Sequence, residues 1–232
     1  MHFFHTEDAR SGKGFVMKKS KDKGVLRNIL PGYAYLPLAA VLFMNFLAYY
    51  GTRLFTTKMH HYDLSFAIDE KIPFLPCFIL IYVLAFVQWV AGYVIIVQES
   101  KSLCYEILAG DLIAKFFCMV IFLLLPTTMA RPEVAGTDVF SWIVRMIYQS
   151  DAADNLFPSI HCLESTICLI GALRVKKIGK WYAWFSAVFT ILVCLSTLFV
   201  KQHVVIDVIG GVAAAGIGCL ITHILGVGKA AR

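Results

Sequence analysis

The sequence predicts an all-α polytopic membrane protein with six transmembrane helices, on three observations. Of its 232 residues 59% are hydrophobic, with a mean hydropathy of +0.74. The apolar residues fall into six long runs with no polar face to offer water, and runs of about 20 such residues read as spanning helices. Aromatic residues make up 14% of the chain, and Tyr33, Tyr35, Tyr49, Tyr50, Trp142, Trp181 and Tyr182 lie near the ends of those runs, as an interfacial belt requires.

The predicted spans cover roughly residues 30–51, 74–97, 107–127, 159–175, 181–200 and 204–226. A basic amino-terminal segment, 1–29, precedes a single membrane domain, 30–228. The segment is polar for too long, and lacks a small-residue cleavage site, to read as a signal peptide. Arg10, Lys13, Lys18, Lys19, Lys21, Lys23 and Arg27 outnumber its acidic residues. Basic residues gather again at Arg174, Lys176, Lys177 and Lys180, between the fourth and fifth spans, and at the carboxyl end. The positive-inside rule then places both termini in the cytoplasm and the 125–159 segment outside, in a plasma membrane. The net charge of +6 is directed at anionic lipid headgroups, not at nucleic acid. Within the outer segment, Phe140, Ile143, Val144 and Ile147 have helical spacing, which predicts a short surface helix from Asp138 to Tyr148.

The seven cysteines lie mostly in apolar runs, and no pair has the C-x-x-C spacing of a metal or redox site. They read as packing residues. Gly210, Gly211 and Gly216 with Ala213–Ala215 read as close helix packing in the last span.

The chemistry gathers at one predicted membrane face. Arg131 follows the third span; His161 and His203 open the fourth and sixth, where unpaired N–H groups and the helix dipole favour an anion. Ionisable groups near hydrocarbon are costly and usually mark function. Asp207 follows His203 by one helical turn. Its carboxylate can take the Nδ1 proton, leaving Nε2 to attack phosphorus. Metal ligation by His161, His203 and Asp207 is a competing reading, disfavoured because no further carboxylate accompanies them. A small transporter is another. Transport would spread polar residues through the bilayer depth, whereas here the ionisable residues of the fourth and sixth spans cluster at one side.

Three segments resemble the motifs of the type 2 phosphatidic acid phosphatase superfamily: Arg131-Pro132, Pro158-Ser159-Ile160-His161, and Ser196 with His203-x-x-x-Asp207. The family pattern is Lys, six residues, Arg-Pro; then Pro-Ser-Gly-His; then Ser-Arg, five residues, His, three residues, Asp. The resemblance spans roughly residues 105–225. It implies six membrane helices and a phosphohistidine mechanism without metal or cofactor. It makes His203 the nucleophile, Asp207 its orienting partner and His161 the acid for the leaving oxygen, with Arg131 and Ser159 holding phosphate oxygens. The implied substrate is a phospholipid or isoprenoid phosphate among the membrane lipids, either a lipid phosphate monoester or a diphosphate. Neutral His203 and protonated His161 predict a bell-shaped pH profile.

The departures from the pattern are equally specific. Leu124 stands where the family lysine belongs, Thr197 replaces the arginine and Ile160 the glycine. Lys201 and Arg145 are the candidate replacements for the lost cations. Lys115 lies sixteen residues before Arg131, about 24 Å along a helix, and is expected to pair with Asp111 at i,i+4. Glu164, one turn from His161, is a supporting candidate. The weak cation set resembles the branch of inositol phosphorylceramide and sphingomyelin synthases and related bacterial membrane phosphatases. Headgroup transfer and phospholipase C-like hydrolysis are therefore alternatives to phosphatase action. The sequence leaves the oligomeric state open.

Overall fold

The computed structural model describes residues 30–231; the basic segment 1–29 lies outside them. Six helices run back and forth between two ends of a bundle: α1 Gly32–Thr56, α3 Pro76–Glu99, α4 Lys101–Leu124, α6 Ile160–Ala172, α7 Lys180–Phe199 and α8 Val205–Ile224. The short helices α2 Ala67–Lys71, α5 Val139–Ser150 and α9 Val227–Ala230 complete the described helices. A two-residue parallel bridge joins β1 Tyr62–Asp63 to β2 Thr127–Thr128.

Among the described residues five helices are long and apolar enough to cross a membrane: α1, α3, α4, α7 and α8. The expected fourth span, 159–175, is only the 13-residue α6. At 1.5 Å per residue it reaches about 20 Å, short of a bilayer core of roughly 30 Å. Its position explains the difference. Helix α6 packs against α3, α4, α7 and α8, and most of its residues from Cys162 to Ala172 are buried. A helix sheathed by protein is not held to the hydrocarbon thickness.

Small residues bring the helices together. A Cβ on Gly218 would lie 2.2 Å from the Gly110 carbonyl, so α8 and α4 touch backbone to backbone. Gly211 makes the same kind of approach to α6, where a Cβ would meet the Ser159 carbonyl at 2.3 Å. Gly216 faces open space, so the expected glycine packing holds for Gly211 and not for Gly216.

A buried ion cluster locks three of the helices. Lys115 Nζ lies 3.0 Å from Asp111 Oδ2 on the same helix and 2.6 Å from Glu164 Oε1 on α6. The Tyr93 hydroxyl of α3 donates toward both carboxylates. Lys115 and Asp111 are wholly buried. In hydrocarbon, backbone and side-chain polar groups have no water to turn to, so the set must satisfy itself.

At the end bearing Gly32 and Lys180, Arg174 pairs with Glu106 through two hydrogen bonds of 2.6 and 2.8 Å. His223 Nδ1 lies 2.9 Å from the same carboxylate, so this end is held by charge. The opposite end holds the loops that form the site. There Leu75 N–H donates to the Phe199 carbonyl, and Val205 N–H donates to Asp69 Oδ1 at 2.8 Å. Helix α5 is capped by Asp138, whose Oδ1 accepts the N–H groups of Phe140 and Ser141. Its Val144 packs with Ile79, Tyr82 and Val200, while Trp142 faces outward. A helix is therefore present where the spacing predicts one, and it roofs the start of α3.

Candidate active site

Each site residue is placed by a helix terminus. Ser159 is the N-cap of α6, its hydroxyl accepting the Cys162 N–H at 3.3 Å, which leaves its O–H as a donor. His161 follows in the first turn. At the start of α8, Asp207 Oδ2 accepts the Val204 N–H at 3.0 Å and lies 3.2 Å from His203 Nδ1. An aspartate in the first turn of a helix satisfies an orphan donor and complements the dipole. The same carboxylate orients the imidazole. Both partners are buried, His203 with 9% of its surface exposed and Asp207 with 1%.

The two turns are tied to each other. Ser159 N–H donates to the Asp207 carbonyl at 3.0 Å. This sets the rings of His161 and His203 with centroids 6.3 Å apart, room for one tetrahedral group between them. His161 stacks on Tyr82 at 4.2 Å, and meets the edges of Trp89 at 5.0 Å and Phe86 at 5.4 Å. Its Nε2 is buried and unpartnered among the described residues.

Arg131 approaches from the segment after α4. It donates to the Asp151 carbonyl at 2.5 Å and to Gln202 Oε1 at 2.6 Å, and its guanidinium lies 4.6 Å over the Tyr148 ring. Burial pushes the Tyr148 phenol up to about 12, against the pull of Arg131, so it stays neutral. The Arg131 Nε–H is unpartnered among the described residues.

The remaining sequence candidates are placed differently. Lys201 borders the same cavity as Arg131 and His203, but its Nζ donates to the carbonyls of Asp69 at 2.9 Å and Ile72 at 2.6 Å. Arg145 donates to the carbonyls of Val134 and Gly136 and lines neither cavity of the site. Glu164 belongs to the Lys115 cluster. Lys115 itself pairs with Asp111 as its spacing predicts.

His203 borders two cavities. One, of about 410 Å³, holds Arg131, Lys201, Asp69 and Glu70. The other, of about 280 Å³, holds His161 and Gln202 with Tyr49, Tyr50, Tyr82, Phe86 and Trp89. Asp151, Asp154 and Asn155 close its far side. Burial raises the Asp154 carboxyl above its ordinary range, opposed by the Arg53 guanidinium 3.1 Å away. Asn155 and Lys201 both adopt left-handed backbone, with φ of 51° and 52°, and both border the site. Non-glycine residues in that region are uncommon and concentrate at functional sites.

Gln202, Asp151, Asn155 and the aromatic residues of α3 were not singled out from the sequence. Only Gln202 carried a local signal, its place directly before His203. The others lie 48 to 121 residues before His203 in the chain.

No curated protein and no solved structure matches the chain. A family profile, that of the PAP2 superfamily, matches residues 60–221. That span holds Arg131, Ser159, His161, His203 and Asp207 together, and covers well over half of the sequence. The chain belongs to the PAP2 superfamily.

Proposed function

We propose that this chain is an integral-membrane phosphoric ester hydrolase that acts on a membrane lipid through a phosphohistidine at His203. Membership of the PAP2 superfamily suggests phosphatase-type activity in general. The observation that carries the finer reading is the His203–Asp207 pair facing His161 across 6.3 Å.

In this reading Asp207 holds the Nδ1 proton and His203 Nε2 attacks phosphorus. The P–O bond to the leaving group breaks with its electron pair going to that oxygen, and His161 supplies the proton. Water, deprotonated by His161, then attacks the phosphohistidine, and His203 leaves as the neutral imidazole. Arg131 Nε–H, the Ser159 hydroxyl and the amino end of α6 stabilise the equatorial oxygens. Lys201 adds a positive field with its ammonium held in place. The five long helices cross the membrane, with the shorter α6 inside their sheath. Both termini face the cytoplasm and the site faces the other side.

A second reading, transfer of the phosphoryl group to a lipid hydroxyl, draws support from the two cavities that meet at His203. One can hold the donor while the other admits an acceptor.

The test is turnover of a lipid panel by purified protein in detergent, scoring free phosphate and new phospholipid, with acid-quenched labelling of the enzyme. His203→Ala is expected to abolish turnover and label; His161→Ala is expected to slow release of the leaving group. Retention by His203→Ala of more than about a hundredth of wild-type kcat would exceed what loss of a nucleophile permits and overturn the assignment.

A further inference from the structure

The cavity beside His161 has a composition that a phosphate alone does not explain. We infer that it takes the cationic amine of a zwitterionic phosphodiester lipid, with the amine beside Tyr49, Tyr50 and Asp151 and the phosphate at His203. This rests on the reading of His203 as the phosphoryl site.

Size argues for a headgroup. The cavity is about 280 Å³, at the lower edge of the roughly 300–1,000 Å³ of small-ligand pockets. It is too small for a pair of acyl chains.

Charge in the cavity is uneven. Asp151 and Asp154 line it together with Tyr49 and Tyr50. Arg53 compensates Asp154 at 3.1 Å, and the Tyr49 hydroxyl donates to Asp151 without neutralising it. Arg131 borders the neighbouring cavity with His203 and donates to the Asp151 carbonyl and Gln202 Oε1. One carboxylate in excess of the Arg53 guanidinium suits a cation in this cavity, and Arg131 lies on the side of His203 that the phosphate would take.

The buried atoms without a partner among the described residues sort the same way. Gln202 Oε1 accepts from Arg131, which fixes the amide and leaves Nε2 as a donor without a partner. Asn155 Nδ2 donates to Thr52 and Thr56, which leaves its Oδ1 as an acceptor without a partner, as is Asp154 Oδ1. Gln202 and Asn155 are both at least nine-tenths buried. A donor beside the histidines suits phosphate oxygens; acceptors beside the tyrosines suit an ammonium. Aromatic faces attract cations through their quadrupole, and the Arg53 guanidinium already lies 5.4 Å from the Tyr49 ring centroid.

The test uses lipids with identical tails: phosphatidylcholine, phosphatidylethanolamine, phosphatidylglycerol, phosphatidate, and a neutral isostere of the choline lipid carrying a 3,3-dimethylbutyl group. Turnover is scored as loss of the parent lipid, so cleavage of either P–O ester bond counts. Wild-type kcat/KM is expected to be about tenfold or more higher for an amine lipid than for phosphatidylglycerol, phosphatidate or the isostere, the size of one desolvated cation–π contact. The choline and ethanolamine arms separate a quaternary from a primary amine. Tyr50→Leu keeps an apolar wall without a ring; it should lower kcat/KM more for the amine lipid than for the isostere, so that the preference between them narrows. Equal turnover of the choline lipid and its isostere, or a preference for phosphatidate, overturns the proposal while the histidine mechanism survives. Absence of His203-dependent turnover of every lipid removes that mechanism and the proposal together.

Discussion

The Ser159 N–H donates to the Asp207 carbonyl at 3.0 Å, and this one backbone bond joins the two turns that carry the histidines. Ser159 opens α6 and Asp207 lies in the first turn of α8, 48 positions later in the sequence. The bond exists because Gly211, one turn beyond Asp207, lets α8 lie directly on the Ser159 carbonyl.

Gly211→Ala should therefore damage activity more than stability. Its Cβ would meet backbone at 2.3 Å, so a helix must shift rather than a side chain. Misplacement by about 1 Å costs on the order of a hundredfold in rate, and kcat should fall by ten- to a hundredfold. Gly216→Ala meets nothing within 4 Å and should leave kcat unchanged. Steady-state kinetics of the two variants side by side checks the relationship.

Asp207→Asn tests the tautomer. Oδ2 meets both the Val204 N–H and His203 Nδ1, so an amide that turns its nitrogen to Nδ1 gives up the one Val204 bond, a cost of about 1 kcal/mol at the start of α8. Its N–H donated to Nδ1 places the imidazole proton on Nε2 and blocks attack. By analogy with the aspartate of a catalytic triad, kcat should fall by about 10⁴-fold, with little change in KM or in thermal unfolding.

Lys115→Met should destabilise the bundle without touching the histidines. It leaves Asp111 and Glu164 buried without their cation, a loss of about 3–5 kcal/mol when one partner of a buried pair is removed. Replacing all three together, with Asp111→Leu and Glu164→Leu added, should restore much of it. Thermal unfolding in detergent separates the two; a triple variant less stable than Lys115→Met would contradict this account.

Sidedness can be read by thiol labelling. Cys77 is an exposed native cysteine at the site end, so a Cys77→Ser background comes first. In intact cells, Thr137→Cys on the exposed stretch before α5 should react with a membrane-impermeant reagent. Lys176→Cys, exposed at the opposite end, should not react. The reverse pattern would put the site on the cytoplasmic side.

What the sequence determined by itself is local. Apolar runs set the long helices, because a chain in hydrocarbon must satisfy its backbone internally. Their observed ends fall within three residues of expectation, except that α1 runs on to Thr56 and α4 begins at Lys101; the polar ends of these two helices hid them from a reading based on hydropathy. The His203–Asp207 and Lys115–Asp111 pairs were legible because i,i+4 spacing fixes a shared helix face. Helix α6 was overestimated because apolar length alone does not say whether a helix faces lipid or protein. The tertiary structure decided everything that depends on distant segments meeting. It put Glu164 with Lys115, occupied the Lys201 ammonium with two carbonyls, and directed Arg145 to the carbonyls before α5. It also brought Tyr82, Phe86 and Trp89 of α3 around His161, and Asp151 and Asn155 opposite them. No periodicity records such meetings, since they are set by how helices pack and not by spacing along the chain.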